Sequence, residues 1–139
     1  MKENMEMTQA NLPDLSEASS REKAAELCRI LDQKLAQDLV WIDVSDSSEL
    51  TDYYIVATGR SSTHVLALVG ELEFEAGRRG IALLHPEHKD GSTWLLLDFG
   101  DVIVHIFSRE GREFYRYERL FAEEQRLDVS EVLTVENDQ

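Results

Sequence analysis

The sequence predicts one α/β (α+β) domain, a mixed five-stranded sheet with flanking helices, and three observations predict it. Apolar residues recur at helical spacing in two long stretches. Between and after them lie five short runs rich in Val, Ile, Leu and aromatic residues, separated by glycine and polar turns. The resulting order is helix, strand, strand, helix, strand, strand, strand, helix, which interleaves the two element types and calls for a sheet with helices packed on it.

Each element has its own justification. Residues 1–18 are polar, carry Pro13 and show no period, so they are expected to be a flexible tail. Ser19 stands three residues before Glu22 as a capping box, and Ala24, Leu27, Cys28, Leu31 and Leu35 line one face of a first helix ending near Asp38. Residues 39–44 and 53–58 read as strands around the polar turn 45–49, and Gly59 closes the second. Ser61 or Ser62 caps a second helix with Val65, Leu68, Val69, Leu72 and Ala76 on one face, and Gly80 suits a left-handed stop at its far end. A short third strand is expected at 81–84 and a polar loop at 86–92. Two strands follow, at 93–99 and 102–107, joined at Gly100-Asp101. A last helix is expected from Arg109, carrying Phe114, Tyr117, Leu120 and Phe121, before an acidic C-terminal tail at 123–139 in which Val129, Val132, Leu133 and Val135 leave room for a weak further element.

The last two strands are apolar at nearly every position, whereas a strand with one wet face alternates. Helices cover one face of such a sheet. The other face needs its own cover, from a further helix, a second copy of the chain or a partner.

Charge and composition narrow the function. The formal net charge of −14 disfavours direct binding to a phosphate backbone and suits a basic protein partner. The single cysteine, Cys28, falls on the apolar stripe of the first helix and excludes an internal disulfide. No apolar run reaches the ~20 residues of a membrane span, and the N-terminus lacks the apolar block of a secretory signal, so a cytoplasmic protein is expected.

The candidate chemistry is sparse. Asp98-Phe-Gly-Asp101 resembles the metal-binding triplet of kinases, but no glycine-rich phosphate loop accompanies it. Two carboxylates alone make a weak cation site; a turn in which Asp101 bonds to main-chain amides accounts for the motif better, with contact to a partner as the alternative. Gly59-Arg-Ser-Ser62 stands at a strand-to-helix junction, where an anion cradle and a simple N-cap are the two readings. His85 and His88 have zinc-ligand spacing without a third ligand, and His105 lies among Val, Ile and Phe as a core or interface histidine. Neither a catalytic set, a cofactor nor a metal site is expected. Trp94 opens a strand beside an acidic turn, as a binding anchor or as a core residue; Trp41, with no such turn beside it, reads as core.

Several of these segments, taken in combination, resemble the iojap-like ribosomal silencing factor family: Asp52-Tyr-Tyr-Ile-Val-Ala-Thr-Gly59 with Ser61-Ser62 and His64-Val65, then Trp94 through Phe107, then Arg112-Glu-Phe-Tyr115 and Glu118-Arg-Leu120. The similarity covers roughly 21–122, within a family domain expected at 19–122. It implies a nucleotidyltransferase-like topology without enzymatic acids, and a homodimer. It further implies binding to the large ribosomal subunit through its basic protein number fourteen, which blocks subunit joining and represses translation. Assembly of the large subunit and a degenerate nucleotide-binding role are the alternatives. The partner-binding residues it implies are Trp94, Asp98, Phe99, Gly100 and Asp101. The stretch 86–92, with His85 and His88, departs from the acidic, tyrosine-bearing segment of many relatives.

Overall fold

The computed structural model describes residues 12–134; most of the expected N-terminal tail, and the last five residues, lie outside the described part. The elements in chain order are α1 (Ser20–Gln33), β1 (Gln37–Asp43), β2 (Tyr53–Thr58), α2 (Ser62–Arg78), β3 (His85–Asp90), β4 (Trp94–Asp98), β5 (Val102–Phe107), α3 (Arg109–Tyr115), β6 (Arg126–Leu127) and α4 (Ser130–Thr134). Single-turn 3-10 helices at Tyr117–Leu120 and Glu123–Gln125 connect α3 to β6.

The sheet is mixed and has six strands, in the order β3-β4-β5-β2-β1-β6. This corrects the expected count of five. The sixth strand is two residues long, pairs Trp41 with Leu127 and Ile42 with Arg126, and lies in the stretch read as an acidic tail. Two residues carry no periodicity, so only the main-chain pairing reveals the strand. A second correction concerns the third strand. Residues 81–84 form no strand; β3 lies at His85–Asp90, in the stretch expected to be a polar loop. Every residue of β3 is exposed and Pro86 is among them, which an edge strand tolerates because one side of its backbone has no ladder to complete.

Only β2 and β5 run parallel, from Tyr53 opposite Val102 to Thr58 opposite Phe107. They occupy the middle of the sheet and are apolar on both faces. On one face, Ile55, Ala57, Leu95, Leu97, Val102, Val104 and Ile106 meet the stripes of α1 (Leu27, Cys28, Leu31) and α2 (Val65, Leu68, Leu72, Ala76). Cys28 is fully enclosed there, and burial pushes its thiol up to about 12, so it is a small core residue without nucleophilic character. The Ser19–Glu22 capping box forms on both sides.

The first helix stops at Gln33, short of the expected end, because Leu35 adopts a left-handed conformation (φ 70°) and the chain turns directly into β1. At the far end of α2, Gly80 supplies the left-handed residue (φ 81°), as its place after the two arginines predicts.

The two long helices are joined by a cluster of charges. Arg79 is 4% exposed and donates to Glu26 at 2.6 Å and to Glu75 at 2.8 Å, while Lys34 approaches Glu75 at 3.9 Å. Burial alone would raise the Glu75 carboxyl, but the Arg79 hydrogen bond and the surrounding cations outweigh it and the net direction is down. Removing Arg79 takes away the donor that the two carboxylates share, leaving Glu26 to Arg29 at 2.9 Å and Glu75 to Arg78 at 3.2 Å and Lys34 at 3.9 Å. Arg79→Ala is therefore expected to lower stability by about 2 kcal/mol, read as a reduced urea midpoint.

Candidate functional site

The second face of the sheet is covered in part by the chain itself. Ser108 caps α3 and accepts from the Gly111 amide at 3.0 Å. Gly111 sits directly on the Thr93 carbonyl, so closely that a Cβ there would collide with main chain. The expected single helix carrying Phe114, Tyr117, Leu120 and Phe121 is broken at Arg116, which is left-handed (φ 47°). That turn brings Tyr117 and Phe121 back over the sheet and leaves Phe114 and Leu120 exposed.

The cover is aromatic. Trp94 stacks on Phe107 with ring centroids 5.1 Å apart and leans on Tyr115 at 4.8 Å. Tyr117 lies 4.3 Å from the His105 ring, and Tyr54 meets Phe121 edge-on at 5.5 Å. The Trp94 indole N–H donates to His105 Nδ1 at 3.1 Å, which places the imidazole proton on Nε2. His105 is 3% exposed, and burial, aided by the Lys89 charge, drives it down to about 3. Burial also raises the Tyr117 phenol, with Tyr54 adding to the shift.

The β4–β5 register sets what remains open. Trp94 pairs with Phe107, Leu96 with His105 and Asp98 with Ile103, all on the face away from α1 and α2. Trp94, Leu96, Asp98 and Ile103 are half-buried and form a strip running from the aromatic cover to the β4–β5 turn. Of the five residues singled out in the sequence, Trp94 and Asp98 lie at the two ends of this strip. Gly100 (φ 90°) and Asp101 form the turn beyond it. Phe99 points the other way, into the core beneath the turn, at 7% exposure.

It is Asp98, rather than Asp101, that holds the turn: its carboxylate accepts from the Gly100 amide at 2.8 Å. Asp101 is exposed, with Lys23 at 4.0 Å, and its carbonyl accepts from the amides of Asp52 and Tyr53. The loop 44–52, whose carboxylates include Asp46 and Glu49, is thereby tied at Asp52 to Asp101, at the amino ends of β2 and β5.

Other candidates resolve into structural roles. Ser61 caps α2 by accepting from the His64 amide. His64 Nδ1 accepts from the Arg60 amide at 2.9 Å, its Nε2 lies 3.0 Å from the Lys34 carbonyl, and the Gly59 amide donates to Phe107. The amides of Gly59, Arg60 and His64 are thus taken by the chain, and a Cβ at Gly59 would strike Val65 at 2.7 Å. His85 and His88, three apart on a strand, point to opposite faces; His85 lies 3.9 Å from Asp98 across the β3–β4 pair. Among the described residues no three His, Cys, Asp or Glu side chains gather as metal ligands. No described helix is long and apolar enough to cross a membrane.

The sequence pointed to Trp94 but not to its partners. His105, Tyr54, Tyr115, Tyr117 and Phe121 come together only through the parallel pairing and the left-handed turn at Arg116. The period-two alternation of β4, which puts Leu96 on the same face as Trp94, was the available signal for the strip.

Fold and strip together define a small mixed-sheet α/β protein with one half-open face beside an acidic turn. The model of the family described as "Ribosomal silencing factor during starvation" matches residues 17–139, and the chain belongs to that family. It is similar to the ribosomal silencing factor RsfS of Haemophilus influenzae, 38% identical over 96 residues, covering 69% of this chain and 94% of that one. It is also similar to the mouse protein named "Mitochondrial assembly of ribosomal large subunit protein 1", 32% identical over 98 residues, covering 68% of this chain and 43% of the relative. A crystal structure of a protein from Chromobacterium violaceum superposes with a TM-score of 0.69 at 28% identity, over 73% of this chain and 85% of the other. The relatives are named for silencing and assembly rather than for a catalysed reaction.

His105 provides a test of the aromatic cover. Its folded value lies far below the ~6.5 of a free histidine, so protonation favours the unfolded chain. Its contribution to stability is complete above pH ~6.5 and falls as pH drops from there towards 3. In a nitrogen-resolved NMR titration His105 is expected to stay neutral, with its proton on Nε2, until acid unfolds the protein. A midpoint near 6.5 in the folded state would contradict the enclosure.

Proposed function

We propose that this protein silences ribosomes by docking its half-open strip and acidic turn on the large subunit, through the basic protein numbered fourteen, and so sterically blocks subunit joining. The observation that carries the proposal is the continuity of Trp94, Leu96, Ile103 and Asp98 with Asp101, an apolar strip ending in carboxylates on a chain of net charge −14. Apolar contact along the strip would supply affinity, while the acidic end would steer encounter with a basic partner. Phe99 and Gly100 would contribute by fixing the turn from below rather than by touching the partner. Family membership supports the silencing role, and the name of the mouse relative supports a large-subunit partner. The proposed working place is the cytoplasm, where joining occurs, and the free chain is proposed to be a homodimer, measurable by light scattering.

The test is co-sedimentation with isolated large subunits beside a subunit-joining assay. Migration with the large subunit and loss of joined ribosomes are the expected results. Migration with joining intact would favour the assembly role in the mouse relative's name, and no migration would sink both. Asp101→Lys, at an exposed position, is expected to slow association about tenfold at low salt, with the difference shrinking as salt is added. Trp94→Ala is expected to cost about 2 kcal/mol of binding, with circular dichroism reporting whether the aromatic cover survives.

A further inference from the structure

The opposite end of the parallel pair has the opposite electrostatic character. Where β2 ends at Thr58 and β5 runs into α3, a cleft of about 260 Å³ is lined by Arg109, Arg112, Arg116 and Arg119. Four of the chain's ten arginines therefore surround one cleft, on a protein of net charge −14. Three carboxylates, of Asp38, Glu113 and Glu118, also line it, so the lining carries a formal +1.

The floor is built. Arg112 Nη1 donates to the hydroxyl of Thr58, which is 2% exposed, at 2.6 Å, and Arg112 Nε donates to Glu118 at 3.0 Å. Arg109 donates to Gln37 at 3.0 Å, and Arg116 Nε to the Glu113 carbonyl at 3.1 Å. Arg109, Arg116 and Arg119 are exposed at the rim. Two of the three non-glycine residues with positive φ among those described, Asp38 (53°) and Arg116 (47°), border the cleft. Such backbone conformations cost free energy and persist where the surroundings enforce them. The position is also where α/β sheets commonly bind ligands, outside the carboxyl ends of adjacent parallel strands.

We propose that this cleft is a binding site for a small multivalent phosphoanion, of the pyrophosphate class found in nucleoside di- and triphosphates. Guanidinium groups present paired donors that match phosphate oxygens, and those at the rim keep N–H groups beyond the contacts that orient them. The three carboxylates and the chain's overall charge work against a long nucleic-acid backbone but leave room for a compact anion seated among the guanidiniums. The site is separate from the strip proposed to meet the ribosome, and its occupancy does not depend on that reading.

Calorimetric titration of the full-length protein with inorganic pyrophosphate at low salt tests the assignment. Saturable one-to-one binding is expected. Arg109→Ala combined with Arg119→Ala removes two exposed guanidiniums without touching the Arg112–Thr58 floor, and is expected to weaken binding about tenfold or more. Asp38→Asn, which removes a repelling charge, is expected to tighten it. Absence of saturable binding, or affinity unchanged by the double substitution in a protein with native circular dichroism, would overturn the site. An oligoribonucleotide that binds more tightly than pyrophosphate and is lost in the same variant would overturn the small-anion assignment in favour of an RNA contact.

Discussion

Everything in this fold depends on the single parallel pairing of β2 with β5. Parallel neighbours cannot be joined by a hairpin, so the chain leaves β2 through α2, lays down β3 and β4, and returns as β5. The pair is central and apolar on both sides, so it is stable only if both sides are covered. The α1 and α2 stripes satisfy one side by ordinary helix-on-sheet packing. The other side receives no long helix. It is closed by a short helix, a left-handed arginine and a run of aromatic rings, which is a thinner cover and leaves the outer strip of β4 and β5 half-open.

This explains which parts of the structure were legible in the sequence. Wherever burial imposes a period, the sequence carries a local signature: the α1 stripe apart from Leu35, which lies past the helix end and is exposed, the α2 stripe, the apolar runs of β2 and β5, the capping box at Ser19 and the left-handed Gly80. Wherever an element is defined by main-chain pairing alone, the sequence was silent. The exposed edge strand β3 has no alternation and contains Pro86, so it reads as loop; β6 is too short to have a pattern. The apolar excess of β4 and β5 did announce a second cover, but its identity lay in Arg116. That residue's left-handed turn has no local signal comparable to a glycine, and without it Tyr117 and Phe121 would point elsewhere.

Trp94 shows how sequence context can leave the role of a single residue open. An isolated tryptophan next to an acidic turn reads either as an anchor for a partner or as core. In the structure it is half-buried. Its indole N–H is satisfied by His105 and its ring is held by Phe107 and Tyr115, yet one side of it begins the half-open strip. A ring already oriented by neighbours loses little conformational freedom when a partner covers it, which favours tight contact over a mobile side chain of equal area. The neutral, buried His105 sharpens this, because it accepts from Trp94 without bringing a charge beneath the apolar strip.

The parallel pair also gives the molecule a direction. At the amino ends of β2 and β5 the loop 44–52 and the β4–β5 turn gather carboxylates; at the carboxyl ends the turns into α3 and the 3-10 helix gather guanidiniums. The net charge of −14 conceals this separation. A uniformly acidic surface would attract a basic protein from any side, with no preferred orientation. A surface acidic at one end and locally basic at the other exerts a torque on an approaching basic partner and presents the acidic turn first. On such a surface it is the Asp98 end of the half-open strip, away from Trp94 and from the arginine cleft, that a cationic surface would meet first.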